Sequence, residues 1–248
     1  MGQVKARRVR SIHEVLEEQV RRWQVEKEEL DSRGRRDGGL ALRERPNVVT
    51  IATAVGARGS TVARLVGEAL GIPVYDREVV QHIAQTAHVQ VATVETLNQR
   101  ARGRIDDYLA SLFRERNFDQ GDYLKVLTRT ILALWEHGPC VIVGHGSIHL
   151  VDRRHALMVR TIAPEADRIQ RMMDTAGLGR EEARSEVRRI DAERASFHER
   201  FFHAQLADPL QFDVIVNTSA LGVNDSAALI VDAFRRKFPH ARPHGPPV

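Results

Sequence analysis

The sequence predicts an α/β fold: a five-stranded parallel sheet flanked by helices, with a helical insertion and a separate N-terminal helix. Three observations predict it. Short β-branched runs recur at residues 48–51, 72–75, 141–143, 157–162 and 214–216. Helix-period segments separate them, most clearly at 62–70, 123–137, 165–175 and 226–238. Strands that alternate with helical crossovers pair in parallel and are covered on both faces. Finally, the first run passes straight into Gly56-Ala57-Arg58-Gly59-Ser60-Thr61 and a helix.

The elements follow in order. Ile12, Val15, Leu16, Val20 and Trp23 recur at steps of three and four, so residues 1–45 open with an amphipathic helix. Its apolar stripe packs on the main domain or on a second subunit, which would make a homodimer through this helix. The run SRGRRDGG at 32–39 reads as a flexible linker. Residues 46–240 form the α/β domain, and 241–248 read as a disordered tail. The interval 76–137 is helical throughout and too long for one crossover, so it is expected to be a helical subdomain over one edge of the cleft.

Composition narrows the class. With 248 residues, 42% of them hydrophobic and 28% charged, the chain can bury a real core and is not disordered wholesale. No apolar run approaches the roughly 20 residues that cross a bilayer, so no membrane partner is expected. The basic N-terminus lacks the apolar stretch of a secretory signal, and Glu14, Glu17 and Glu18 argue against a transit peptide. The lone Cys140, set in an apolar run, fits a reducing, cytoplasmic location. Net charge is +4, and residues 1–45 carry most of it, with 12 Lys/Arg against 9 Asp/Glu. The arginines are interspersed with acids and aromatics are only 5%, so no nucleic-acid partner is expected.

The glycine loop carries the chemistry. A strand, a glycine loop and a helix N-terminus bring backbone N–H groups together where the helix dipole favours an anion. Against the phosphate-loop pattern G-x-x-x-x-G-K-[ST], Thr53 stands at the first glycine, Arg58 at the second and Gly59 at the lysine. Ser60 fills the hydroxyl position, with Thr61 behind it. On the loop alone, a plain glycine turn before a helix explains the sequence equally well.

Other sites read as follows. Asp76 ends the second strand, on the edge where open α/β sheets bind ligands, and it is also a favoured helix cap. Arg188, Asp191 and Arg194 lie three residues apart, a spacing that suits surface ion pairs or a functional face. His145, His198 and His203 show no metal-ligand spacing. Ser60 has no nucleophile elbow around it, and the loop lacks the G-x-G-x-x-G of dinucleotide folds.

Three longer segments carry a resemblance: VTIATAVGARGSTVARLVGEALGIPVYDREVV, DYLKVLTRTILALWEHGPCVIVGHGSIHLV and IDAERASFHERFFHAQLADPLQFDVIVNTSALG. From Asn47 to about Phe238 they resemble, in order, the cytidylate kinase-like proteins of the P-loop nucleoside-monophosphate kinase group. The resemblance implies a P-loop kinase-type sheet with an acceptor-binding helical insertion and a lid. It implies ATP and Mg²⁺ as cofactors, and phosphoryl transfer to a nucleoside monophosphate, CMP or dCMP.

Site residues follow from the same resemblance. Gly56, Ala57, Arg58 and Gly59 would cradle the donor phosphates, with Arg58 in place of the missing lysine. Ser60 or Thr61 would ligate Mg²⁺. Asp76 would hold a metal-bound water or orient the acceptor, with Arg77, Gly144 and His145 beside it. Arg188, Asp191 and Arg194 would form the closing lid, and Asn217 and Thr218 would lie near the donor adenine or shape its loop. Two departures stand out: Ala54-Val55 replaces polar and basic residues, and His145 replaces an arginine. The missing lysine and His145 suit the alternative, a catalytically impaired nucleotide-binding regulatory protein with the same fold.

Overall fold

The computed structural model describes residues 12–37, 45–115 and 122–240. The N-terminal helix α1 (Ile12–Asp37) precedes strand β1 (Val48–Thr53), the glycine loop and α2 (Gly59–Leu70). Strand β2 (Val74–Tyr75) leads into four insertion helices, α3 (Arg77–Gln85), α4 (Ala87–Glu95), α5 (Gln99–Glu115) and α6 (Asp122–His137). Then come β3 (Val141–Val143), α7 (Ser147–Leu150), β4 (Ala156–Ile162), α8 (Glu165–Ala176), α9 (Arg180–Phe202), β5 (Val214–Asn217) and α10 (Gly222–Lys237). The five strands pair in parallel in the order β2-β3-β1-β4-β5.

Alternation along the central strands sends side chains to two cores. Val49, Ile51, Leu157 and Val159 pack with Val62 and Val66 of α2 and Ile230 and Phe234 of α10. Val48, Ala52, Ala156 and Met158 face the other way, onto Leu127, Ile131 and Trp135 of α6 and Leu150 of α7. These buried β-branched runs are why the strands were legible. Strand β2 begins two residues later than expected because Ile72 N–H turns back to Gly67 O at the end of α2, and Pro73 has no N–H.

Of the two partners expected for α1, the structure gives its own domain. Leu16 and Trp23 are buried in the core on the insertion side, and Val20 packs against it. Trp23 stacks on His137 of α6, with ring centroids 3.8 Å apart and 8° between planes. Lys27 Nζ donates to Glu95 O of α4 at 2.9 Å. The side chains of Ile12 and Val15 lie outside the described residues. The helix also runs through 32–37, which the sequence reading assigned to a linker. Residues 38–44, and the tail 241–248, lie outside the described residues.

Candidate functional site

The site is built at the carboxyl ends of β1 and β4, where the strand of one segment must turn into the helix of the next. Between β1 and α2 the chain turns through Gly56 (φ 75°) and Arg58 (φ 54°), both in the left-handed region. A Cβ at Gly56 would stand 2.9 Å from Arg168 O, so only glycine admits the close approach of α8.

The loop's carbonyls are tied from outside. Thr53 O accepts from Arg194 Nη1 at 2.7 Å, Val55 O from Arg168 Nη1 at 3.4 Å and Gly56 O from Arg171 Nη1 at 2.9 Å. Ala57 O accepts from Thr218 Oγ1 at 3.1 Å, and Ala54 O from Ala57 N–H at 3.0 Å. With the carbonyls held back, the N–H groups of Gly56, Arg58, Gly59, Ser60 and Thr61 have no protein partner among the described residues. A row of unpartnered N–H groups at the start of a twelve-residue helix concentrates positive potential. Ser60 and Thr61 sit exposed in that first turn.

Helices α8 and α9 fold over the loop as a hairpin. They pack through Ile169, Ala183 and Val187, and Val55 of the loop inserts against this small core. The apolar Val55 thus has a structural reason: it seats the lid. Asp191 bridges the two parts, accepting Val55 N–H at Oδ1 (3.3 Å) and pairing with Arg168 through Oδ2. Arg188 does not reach the loop. It is exposed and pairs with Glu165 at 2.9 Å.

A second group of charges gathers at the ends of β2 and β3. Asp76 caps α3, accepting Val79 N–H at 3.0 Å. Gly144, His145 and Gly146 run left-handed in succession, and His145 Nε2 lies 2.9 Å from Arg77 O. Burial lowers the His145 pKa; the bond to Arg77 O opposes this, and the charges of Arg77 and Arg194 add to it. Arg194, half-buried, has its pKa lowered chiefly by burial, then by Arg77, while Asp191 raises it. Arg194 therefore stands between the loop and this second group. Asn217 and Thr218 shape the last strand's exit: Asn217 Oδ1 accepts Ser219 N–H, and Thr218 braces the loop. Among the described residues, no group of three or more His, Cys, Asp or Glu could hold a metal ion.

Comparison with known proteins decides the family. The model of the cytidylate kinase-like family matches residues 48–220. The chain belongs to that family. No curated protein matches it. Among solved structures it is similar to an uncharacterized protein from Eubacterium ventriosum, at 17% identity and a TM-score of 0.61, covering 77% of this chain and 99% of that one. That likeness extends the shared fold over the whole of the neighbour. Shikimate kinase from Bacteroides thetaiotaomicron (14% identity, TM-score 0.42, covering 78% and 98%) and a gluconokinase from Sinorhizobium meliloti (12%, 0.41, 81% and 100%) also match. Membership of the cytidylate kinase-like family supports nucleotide-dependent phosphoryl transfer in general.

Within this family member, several residues at the site escaped the sequence reading. Arg168 and Arg171 are one turn apart on α8 and both grip the loop, a spacing that the sequence displays but that surface pairs share. Thr161 Oγ1 donates to Thr53 Oγ1 at 2.8 Å, joining β4 to β1 beneath the loop. His198 of α9 is buried, its Nδ1 2.9 Å from His149 Nε2 of α7, beside Phe202 and Phe197. Burial pushes the His198 pKa from 6.5 down to about 4, with Arg160 and Arg194 adding to the shift.

That shift sets a pH dependence. The folded pKa of His198 lies below the unfolded one, so its contribution is complete above pH 6.5 and is lost as pH falls towards 4. Burial lowers the His145 pKa too, so its contribution falls in the same acid direction. His198→Gln should therefore flatten the decline in urea midpoint between pH 6.5 and about 4. An unchanged slope in that variant would assign the acid sensitivity elsewhere.

Proposed function

We propose that the chain transfers the terminal phosphoryl group of ATP to a nucleoside monophosphate, CMP or dCMP. One observation carries the reading: five N–H groups of the loop and helix start have no protein partner among the described residues while the loop carbonyls are tied back, the arrangement an oligophosphate needs. The residues fit the group. Gly56 to Gly59 would hold the donor phosphates through backbone N–H, and the exposed Arg58 would add charge. Ser60 and Thr61 offer hydroxyls for Mg²⁺ beside the phosphates. When bound, Mg·ATP supplies the electrophilic phosphorus and a leaving group whose charge the metal screens.

The rest of the work falls to positioning and charge neutralisation. Arg194, which adjoins both charge groups, would meet charge on the transferred group. Asp76, Arg77 and His145 would orient the acceptor, with Gly144 leaving the turn open. Asp191 and Arg168 would fasten the lid to the loop. Arg188 would act through Glu165, holding α8 to α9 at the surface. A cytoplasmic setting belongs to this reading, supported by the buried free thiol of Cys140 and by the lack of a membrane-crossing helix among the described residues.

A second reading has its own support. His145 is turned onto a backbone carbonyl, and Arg58 rather than lysine stands at the loop, which suits a regulatory protein that binds nucleotide without turnover. Coupled ADP release with Mg·ATP and CMP, dCMP, UMP, AMP and dTMP separates the two. The kinase reading expects turnover with a cytidylate and higher acceptor affinity in His145→Arg. If neither protein phosphorylates any of these while ATP still binds, the regulatory reading stands.

A further inference from the structure

Arg160 lies on the central sheet, opposite Ala52 of β1 and Ile215 of β5. Its neighbours at even positions, Ala156 and Met158, point into the core under α6 and α7. Arg160 continues that row to the carboxyl edge, so a guanidinium stands where the next apolar side chain would be expected. It is half-buried and lies over the Phe212 ring, 5.5 Å from the centroid.

The arginines of α8 and α9 near the cleft are engaged, whereas Arg58 and Arg77 are exposed. Arg168, Arg171 and Arg194 hold loop carbonyls, and Arg188 holds Glu165. The Arg160 guanidinium has no hydrogen bond and no ion pair among the described residues. Burying a cation without hydrogen-bonded compensation costs free energy, which an incoming anion would recover. The guanidinium fork also suits phosphate oxygens better than a point charge does.

Its position separates it from the donor loop. Thr53 and Gly59 pack together on the α2 side of the sheet, whereas Arg160 shares its face with α7 and α9. Burial lowers the Arg160 pKa, Asp191 raises it and Arg168 lowers it again; His198 senses Arg160 together with Arg194. Arg194 thus links the exposed Arg77 on one side with the surroundings of Arg160 on the other, while itself holding Thr53 O.

We infer that Arg160 binds the phosphate monoester of the acceptor, as a specificity-determining residue on the face of the sheet opposite the donor loop. The inference rests on the phosphoryl-transfer reading for the word acceptor, but its test does not need turnover. Wild type, Arg160→Gln and Arg160→Lys would be titrated calorimetrically with inorganic phosphate, CMP, cytidine and ATP, after circular dichroism shows each is folded. The expected result is CMP and phosphate affinity reduced 10-fold or more in Arg160→Gln and partly kept in Arg160→Lys. Cytidine and ATP affinities should stay within about twofold.

Several outcomes would overturn the inference: wild type that binds neither phosphate nor CMP, unchanged CMP affinity in both variants, or equal losses for CMP and ATP. If Arg160→Gln fails to fold, Arg160→Lys decides by the same comparison of CMP with cytidine. Arg160-dependent CMP binding without phosphorylation would sustain the inference while sinking the transferase reading. Turnover of CMP indifferent to Arg160 would do the reverse.

Discussion

Gly59→Val should destabilise the protein by about 3 kcal/mol, well before any question of nucleotide affinity arises. Even a Cβ at Gly59 would stand 2.5 Å from Thr53 Cβ and 3.0 Å from Thr161 Oγ1, and closer still to Thr53 Oγ1. The two extra methyl groups of valine have no place between β1, β4 and α2. For a chain of this size the cost corresponds to a melting temperature lower by roughly 6–12 °C. The sequence alone suggests that this glycine keeps a path open for an anion; the structure directs its missing side chain into the sheet instead.

The phosphate-loop pattern is therefore inverted with reason. Thr53 fills the volume that a first glycine would leave empty, and Gly59 makes room for it. A thermodynamic cycle tests the pairing. Gly59→Ala should be rescued in large part by Thr53→Gly, with a coupling of about 1–2 kcal/mol in urea denaturation. Additive losses would mean that the two positions do not share this volume.

Arg194→Ala should reduce turnover about 10²-fold, or about 2.7 kcal/mol, with a much smaller loss in ATP binding. This arginine donates to Thr53 O and lies near Arg77, so its charge is held in the cleft. An interaction used only as charge develops on the transferred group appears in turnover and not in ground-state affinity. Single-turnover rates with Mg·ATP and CMP, alongside ATP titration, make the comparison. Equal losses in both would reassign Arg194 to holding the loop in shape.

What the sequence disclosed depends on the range of the interaction. Strands β1, β3 and β4 are continuous apolar runs because both faces are covered, and a run of that kind needs no partner to be recognised. The continuation of α1 past Ser32 was obscured by Gly34, a poor helix former within an otherwise charged run. Arg188 was grouped with Asp191 and Arg194 by three-residue spacing, yet steps of three drift by about 60° per step in a helix of 3.6 residues per turn. Over two steps Arg188 is turned about 120° from Arg194, enough to send it to Glu165. Arg160 gave no signal because one charge in a strand reads as an outward residue. It takes α6, α7 and α9, all distant in sequence, to make that face an interior.

The lid arginines that hold the loop's carbonyls, together with Val55 seated among Ile169, Ala183 and Val187, tie two distant processes into one thermodynamic cycle. Whatever anion the loop accepts must either preserve these tethers or break them. Where it breaks or tightens them, its affinity carries part of the free energy of the hairpin's docking. Linkage is reciprocal: the factor by which a bound anion tightens or loosens α8 and α9 is the factor by which their docking strengthens or weakens the anion. A substitution on the far, solvent side of α9 that frays the hairpin would thus change affinity at a loop it never touches. Slow amide exchange along α9 would report occupancy of the loop from the other side of the lid.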